Sequence, residues 1–225
     1  MADYSPAAAK SKAGERNRAL LDLAAFAAAP LLPEPYDHLV LPGFLSRTAL
    51  ERVLEHYPRI DRPGSFPLPE TRYGANFASL VAELEGPDLR AACERKFGLS
   101  LAGRPTTITV RGRCGKRDGR VHTDSATKLI TVLIYMNDGW DQPDGRLRLL
   151  RSGDLADYAV EVPPAAGTLI AFRRSERSYH GHTSFEGERK VIQLNWVTDQ
   201  RVADRELGRH RFSARLKKLF SFAGA

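Results

Sequence analysis

The sequence predicts a mainly β domain with flanking helices, and two observations carry this prediction. A series of short β-branched or apolar runs follows Gly103, separated by turn signals such as Asn137-Asp138-Gly139. Runs of this length and spacing are typical of an antiparallel sandwich or barrel. Helix-forming stretches precede and follow the β region, and a chain of 225 residues is long enough to bury one such core.

The part before Gly103 is predicted to be helix and loop. Its residues 1–13 are small, polar and without pattern, which indicates a disordered tail. Ser46 is a credible N-cap for the second helix, and Gly98 stops the last one. In chain order, the predicted elements are a helix over 15–29 ending before Pro30, a strand over 36–44, a helix from Ser46 to Tyr57, a long loop over 59–78 and a helix over 88–97.

The β region and the C-terminal stretch complete the predicted organisation. The predicted strands cover 106–110, 128–135, 147–150, 159–162, 168–172 and 190–197. Residues 201–225 place apolar side chains among basic ones at near-helical spacing, which predicts a basic amphipathic helix. The predicted domains are therefore a tail (1–13), a helical and loop support region (14–100), the β core (101–200) and the C-terminal helix (201–225).

Composition excludes several classes of protein. The net charge of +7 does not make nucleic acid an expected partner, because neither zinc-finger spacing nor an RNA-binding aromatic pattern accompanies it. No uncharged apolar run is long enough to span a membrane. Charged residues precede and interrupt the Ala-rich stretch 19–30, so it is a poor signal peptide. Cys93 and Cys114 cannot form a disulfide framework, and we expect a reducing, cytoplasmic location.

The tripeptide His122-Thr123-Asp124 is the first candidate for chemistry. If it lies on a strand, His122 and Asp124 share a face and can point into one cavity. An imidazole, a carboxylate and a distant histidine form the facial triad of non-haem Fe(II) oxygenases, and His180 or His182 could supply the third ligand. The remaining histidines are interpreted as surface or packing residues: His38, His56 and His210.

A series of motifs then resembles the prolyl 4-hydroxylase-like 2-oxoglutarate/Fe(II)-dependent dioxygenases. The resemblance covers residues 111–197. Its elements are His122-Thr123-Asp124, the run from Thr131 through Tyr135 to Asn137, Trp140, Asp144-Gly145, the run 163–172, Ser178-Tyr179-His180, Gly187-Glu188-Arg189 and Trp196. The glycine pair usual after the Asn/Trp segment is Asp144-Gly145 here.

This resemblance implies a double-stranded β-helix, that is, a jelly-roll or cupin-like core. It implies that His122, Asp124 and His180 bind Fe(II). It also implies that Arg189 pairs with the 5-carboxylate of 2-oxoglutarate and that Tyr135 donates a hydrogen bond to it. The implied cofactors are Fe(II), 2-oxoglutarate as co-substrate and O2, with ascorbate as an optional accessory.

Two assignments stay open at the sequence level. Counting back six residues from Trp196 selects Lys190 as the co-substrate cation, whereas the Gly-x-Arg pattern selects Arg189. The two side chains point to opposite faces of a strand, and Arg189 is favoured because its fork fits a carboxylate. His182 is an alternative to His180 as the metal ligand, or else a residue near the substrate mouth.

The implied reaction is hydroxylation of an unactivated C–H of a peptide side chain or small metabolite, with release of succinate and CO2. Asp124 argues against halogenation, since halide binding needs the carboxylate position vacant. An anionic substrate is one option, because two basic groups could border the barrel opening. They are Arg104, Arg111, Arg113, Lys116, Arg117 and Arg120, and then Arg173, Arg174 and Arg177. The alternative function is a non-catalytic metal- or ligand-binding sensor module, and the sequence leaves the oligomeric state open.

Overall fold

The computed structural model describes residues 19–206 and residue 208. The helices are α1 (Leu23–Ala28), α2 (Arg47–Leu54), α3 (Ala75–Leu84) and α4 (Pro87–Phe97), with a 3-10 turn over Leu68–Glu70 and helical residues at 200–206. The strands are β1 (His38–Leu41), β2 (Phe66–Pro67), β3 (Thr106–Cys114), β4 (Lys128–Tyr135), β5 (Leu147–Leu150), β6 (Tyr158–Val162), β7 (Leu169–Arg173), β8 (His180–Gly181) and β9 (Gly187–Val197).

Two antiparallel sheets form the β core. The larger sheet has six strands in the order β1-β7-β4-β9-β3-β2, and the smaller has three in the order β6-β5-β8. The non-sequential order, with β7 and β9 on either side of β4, is that of a jelly roll rather than a meander. The predicted fold class, a mainly β protein with flanking helices around a double-stranded β-helix core, is confirmed.

Strand β4 is buried on both faces, which explains its almost continuous apolar sequence. Its even-numbered residues Ile130, Val132 and Ile134 belong to the hydrophobic cluster formed with the helices. Its odd-numbered residues Leu133 and Tyr135 belong to a second cluster inside the barrel. One face of the large sheet is therefore covered by helices, and the other is left to form a site.

The helices pack through large apolar side chains that are fully buried. Phe26 of α1, Phe77 and Leu80 of α3 and Leu89 of α4 are each 0% exposed. They join Trp196 of β9 in a single cluster. Each such side chain contributes about 1.5–3 kcal/mol through burial, so this cluster anchors the helices against the sheet.

The N-terminal half differs from the sequence prediction in two places. Residues 15–18 of the helix predicted over 15–29 lie outside the described residues; from residue 19 on, helix begins at Leu23, because Asp22 caps it by accepting a hydrogen bond from the amide of Ala25. The loop predicted over 59–78 instead contains β2 and the 3-10 turn, and it ends in the first turn of α3. The Pro- and Gly-rich composition before Gly74 concealed the helical spacing that begins at Ala75.

Some other boundaries agree with the prediction, whereas β1 is shorter than predicted and β3 and β9 are longer. Strands β4 and β5 have the predicted bounds, Ser46 caps α2, and Gly98 closes α4 in the left-handed conformation with φ 63°. None of the described helices combines the length and apolar character needed to cross a bilayer. The tail predicted over 1–13 and most of the predicted helix over 201–225 lie outside the described residues. The predicted domain boundaries stay predictions.

Candidate metal centre and co-substrate pocket

A cavity of about 390 Å³ lies between the two sheets. The inward side chains of β3, β4 and β9 line it at alternate positions, as the two-residue period of a strand requires. On β9 these positions are Arg189, Val191, Gln193 and Asn195. The smaller sheet and the chain after His180 close the other side, so the cavity is the interior of the barrel.

The structure brings His122, Asp124 and His180 together at this cavity. One donor atom from each side chain lies within 4.8 Å of the other two. The His122-Thr123-Asp124 segment is not part of a regular strand, as the sequence argument supposed; it lies in the connection from β3 to β4. An isolated bridge aligns it instead, since the amide of His122 donates to the His180 carbonyl at 3.1 Å and the reverse bond is 2.9 Å.

The hydrogen bonds of the two imidazoles fit a metal site. Nδ1 of His180 lies 3.0 Å from the Ser178 carbonyl, and Nδ1 of His122 lies 2.9 Å from the Arg120 carbonyl. A carbonyl only accepts, so each Nδ1 carries the proton and each Nε2 keeps its lone pair for a ligand bond. Orientation by a backbone carbonyl is the usual support of a metal-binding histidine.

Asp124 is 4% exposed and held by two donors. Lys128 Nζ lies 2.6 Å from its Oδ1, and the Thr131 hydroxyl donates to its Oδ2 at 2.6 Å. Burial by itself would raise the pKa of Asp124, but Lys128, His180 and these hydrogen bonds outweigh burial and lower the pKa to about 2. The carboxylate is ionised at neutral pH, and each oxygen keeps a second lone pair for a metal.

Burial also sets the charge of two of the cavity histidines, His180 and His182. It lowers the pKa of His180 to about 4, with His122 adding to the shift and Asp124 opposing it. It lowers the pKa of His182 to about 4 as well, with Arg189 adding to the shift. Both rings are neutral at pH 7. His182 does not belong to the triad; its Nδ1 donates to the Thr183 carbonyl at 2.8 Å, and the ring lines the cavity.

Arg189 and Lys190 turn to opposite faces of β9, and Arg189 enters the cavity. Arg189 is 4% exposed; its Nε donates to the Gly145 carbonyl at 2.9 Å and its Nη2 to the Tyr135 hydroxyl at 3.3 Å. The Lys190 ammonium pairs with Glu188 at 2.8 Å outside the cavity. Within the described part of the chain, Arg189 forms no ion pair, so the cavity holds a buried cation without a counter-ion.

A β-bulge lies at Arg189 and Lys190. Arg111 pairs with Val191 but Arg113 pairs with Glu188, so Arg189 and Lys190 together face Gly112 alone. The amide of Asn137 fixes the bulge, because its Oδ1 accepts from the Lys190 amide at 2.6 Å and its Nδ2 donates to the Lys190 carbonyl at 3.1 Å.

The residue six positions beyond Arg189 faces the cavity as well, because the two-residue alternation of β9 is unbroken through Val191 and Gln193. That residue is Asn195, which lines the cavity. Trp196 is 2% exposed and packs in the cluster behind the sheet. The interval of six residues from Trp196 therefore leads to Lys190, which lies on the face of β9 turned away from the cavity.

The turn around Gly145 completes the pocket of Arg189. Trp140 packs against Phe185 with ring centroids 4.9 Å apart, and its indole N–H donates to the Asp144 carbonyl at 3.0 Å. Gly145 has φ 74°, and an added Cβ would crowd both rings. The turn therefore tolerates Asp144 in place of the first glycine of the usual pair, because only Gly145 has the positive φ and the close contacts that need a glycine.

Of the two basic groups expected at the opening, only Arg111 lines the cavity. Its guanidinium pairs with Asp118 at 2.9 Å and donates to Ser65 and to the sulfur of Cys114. The charge of Arg111 is therefore already compensated. Arg174 of the second group donates to the Asp124 carbonyl at 3.1 Å and pairs with Glu176, and the basic rim stays a prediction.

Sequence reasoning missed several cavity residues. Lys128 and Thr131 hold Asp124, and Thr107, Asn195 and Glu206 form the far wall. Strand alternation counted from Tyr135 could have found Thr131, and counting from Arg189 could have found Asn195. Nothing in the sequence pattern links Glu206 to the barrel.

Comparison with known proteins agrees with the geometry. Residues 112–198 match the family model described as the 2OG-Fe(II) oxygenase superfamily. A search of curated protein sequences found no match.

Solved structures share the fold at low sequence identity. A prolyl-4-hydroxylase of Pseudomonas putida has 20% identity and a TM-score of 0.55, over 76% of this chain and 92% of that one. A prolyl 4-hydroxylase of Phytophthora capsici has 16% identity and a TM-score of 0.53, over 84% and 69%. A 2OG-Fe(II) oxygenase family oxidoreductase of Burkholderia pseudomallei has 16% identity and a TM-score of 0.50, over 78% and 90%.

The family match spans nearly the same residues as the motifs, and the jelly roll and the His-Asp-His group stand in the expected places. The donor set suits iron, and the buried arginine suits a dicarboxylate. Over residues 112–198, the β core of this chain is therefore similar to the 2OG-Fe(II) oxygenase superfamily, whose metal and co-substrate are iron(II) and 2-oxoglutarate.

Proposed function

We propose that this protein is a 2-oxoglutarate- and Fe(II)-dependent dioxygenase that hydroxylates an unactivated C–H of a peptide side chain or small metabolite and releases succinate and CO2. The observation that carries the proposal is that one cavity holds three convergent candidate metal donors and a buried arginine with no counter-ion in the part of the chain that the structure describes. A buried cation of this kind is stabilised when an anionic ligand binds beside it.

His122, Asp124 and His180 would hold the metal, and Arg189 with Tyr135 would hold the remote carboxylate of 2-oxoglutarate. Thr131, which bonds Asp124, and Tyr135, which bonds Arg189, are four residues apart on β4. That separation is about 13 Å along the strand, and the long Arg189 side chain shortens the gap. A short dicarboxylate can therefore bridge the two groups with its keto-acid end at the metal.

Iron(II) bound there supplies oxidative decarboxylation of the co-substrate with dioxygen. The chain's own residues bind, orient and shield the reactants. Lys128 and Thr131 keep Asp124 ionised and fixed in orientation, and the Ser178 and Arg120 carbonyls fix the two imidazoles. Leu133, Leu147 and Val191 line the cavity with apolar surface, which excludes water from it.

The test is succinate formation by the protein reconstituted with Fe(II) and supplied with 2-oxoglutarate and O2. The proposal predicts metal-dependent succinate and CO2 in equal amounts, both lost in Asp124→Ala while the thermal unfolding profile persists. Binding of metal and 2-oxoglutarate without turnover would favour the alternative of a non-catalytic sensor module. Failure of the wild-type protein to bind either one by calorimetry would end the oxygenase proposal.

Prolyl hydroxylase-like specificity and a cytoplasmic location belong to the same proposal. The structural neighbours include prolyl 4-hydroxylases, but at 16–20% identity they support the fold alone. A proline-containing peptide is therefore one member of the substrate set to be assayed, beside free amino acids and other small metabolites.

A further inference from the structure

Glu206 places a carboxylate in the wall of the cavity, away from Arg189. This residue ends the described helical stretch 200–206, lines the same cavity as the metal donors and is 6% exposed. Its carboxylate accepts only long hydrogen bonds, from the hydroxyls of Thr107 at 3.5 Å and Ser125 at 3.4 Å. Over residues 19–206 no cation pairs with it.

A row of polar side chains connects Glu206 to the metal donors. The Thr131 hydroxyl lies 2.6 Å from Asp124 and 3.2 Å from the Asn195 side-chain oxygen. The Asn195 amide in turn donates to the Thr107 hydroxyl at 3.2 Å, and Thr107 reaches Glu206. This wall therefore begins at the candidate metal site and ends at a buried carboxylate that forms no ion pair within residues 19–206.

The wall lies away from the co-substrate cation. Arg189 and Asn195 both face the cavity on β9 but are six residues apart, which is about 20 Å along the strand. Arg111, the other cavity arginine, is neutralised by Asp118 and pairs across the sheet with Val191, at the Arg189 end. Among the described residues, Arg189 and Glu206 thus give the two ends of the cavity opposite charges, neither of which is in an ion pair.

We infer, on the basis of the proposed function, that the substrate carries a cationic nitrogen, an ammonium or guanidinium group, that pairs with Glu206 while the C–H to be hydroxylated faces the metal donors. A buried carboxylate served only by weak hydroxyl donors is destabilising unless a cation reaches it. An ammonium or guanidinium group provides that charge together with several N–H donors. The hydroxyls of Thr107 and Ser125 can rotate to accept its remaining protons.

The same geometry disfavours an anionic substrate. A carboxylate or phosphate placed beside Asn195 would meet Glu206 at close range in a cavity where solvent screens little. The cavity residue that would bind an anion is Arg189, and the proposed function assigns it to the co-substrate.

The test uses matched pairs of probes that differ only in charge. The iron-loaded protein is assayed for succinate formed above its basal rate with L-lysine and Nε-acetyl-L-lysine, with L-arginine and L-citrulline, and with lysine- or arginine-containing peptides and their neutral counterparts. We expect cationic members to stimulate succinate formation and each neutral partner to do so at least tenfold less, since a charge-assisted hydrogen bond contributes about this much. Calorimetric titration of the same probes into protein loaded with Mn(II) and 2-oxoglutarate gives their affinity without turnover.

The variant is Glu206→Gln, which keeps the shape and removes the charge. We expect it to raise KM for the cationic probes tenfold to a hundredfold, to abolish the preference over the neutral partners and to leave 2-oxoglutarate affinity unchanged. Glu206→Asp should restore part of the preference. The matched control is Glu51→Gln on α2, where an exposed carboxylate pairs with Arg47 and contacts no cavity residue.

The outcomes separate this inference from the proposed function. If metal binding, 2-oxoglutarate binding and basal succinate formation are all absent, the proposed function fails and this inference fails with it. If those are present but no cationic probe stimulates, or neutral or anionic probes stimulate equally, or Glu206→Gln keeps the preference, the inference alone is overturned. A preference lost in Glu206→Gln and kept in Glu51→Gln supports it.

Discussion

Replacing Arg189 by methionine should remove most of the affinity for 2-oxoglutarate. The guanidinium is 4% exposed, is bonded only to the Gly145 carbonyl and the Tyr135 hydroxyl, and has no carboxylate partner among the described residues. Removing one partner of a buried charge pair costs about 2–5 kcal/mol, and each 1.4 kcal/mol is a factor of ten. We therefore expect the dissociation constant to rise by about 30-fold to several thousand-fold.

Lys190→Met is the matched control for this substitution. The Lys190 side chain is 30% exposed and pairs with Glu188, which is 63% exposed. Such surface pairs contribute about 0–1 kcal/mol, so the affinity for 2-oxoglutarate should change less than about fivefold.

The assay is calorimetric titration of 2-oxoglutarate into protein loaded with Mn(II), which avoids turnover. A thermal unfolding curve of each variant shows whether it is folded. Arg189→Lys provides a second variant that keeps the charge but loses the fork, and it should bind with intermediate affinity. The reasoning is refuted if Arg189→Met binds 2-oxoglutarate within threefold of wild type, or if Lys190→Met is the variant that loses binding.

Three further substitutions test the supports of the site and the fold. Thr131→Val removes a 2.6 Å hydrogen bond to Asp124 and should weaken metal affinity about 10–100-fold, measured by calorimetry; unchanged affinity would contradict the role of the hydroxyl. Gly119→Ala places a Cβ onto the His182 ring at a residue with φ 88°, and should lower the free energy of unfolding by more than about 1 kcal/mol in urea; a neutral effect would contradict the close approach. Phe77→Ala empties a fully buried position of α3 and should lower the same free energy by about 3–5 kcal/mol, whereas a loss under 1 kcal/mol would contradict its place in the core.

The β core could be predicted from sequence because its signals are local. Strand β4 alternates between the helix-covered face and the barrel interior, and turn residues mark where it and β5 end. The ordered motifs then gave the jelly roll, since they fix the relative positions of strands that are distant along the chain. Helix α3 was missed because the composition before it is that of a loop.

The grouping of His122, Asp124 and His180 was predicted from a strand geometry that the structure does not contain. Their spacing in sequence is informative, but the tripeptide is held by a bridge to His180 rather than by strand geometry. The choice between Arg189 and Lys190 needed the structure. Strand alternation places the two side chains on opposite faces of β9, but the sequence does not say which face lines the cavity.

The roles of Glu206 and Arg111 in the cavity could not be predicted from the sequence. Arg111 was expected to give the opening a positive charge, yet Asp118 compensates it. Glu206 lies far along the chain from the other cavity residues and reaches the barrel only through tertiary packing. Charge near a site is therefore informative only after its partners are known.

The most direct test of the site is a metal titration of two proteins, wild type and Asp124→Ala. With a thermal unfolding curve recorded for both, calorimetry under anaerobic conditions measures Fe(II) binding at neutral pH. The geometry predicts one equivalent per wild-type chain and an affinity reduced at least tenfold in the variant, because one of three convergent donors is gone. Equal stoichiometry and affinity in the two proteins would show that the metal is not held by His122, Asp124 and His180.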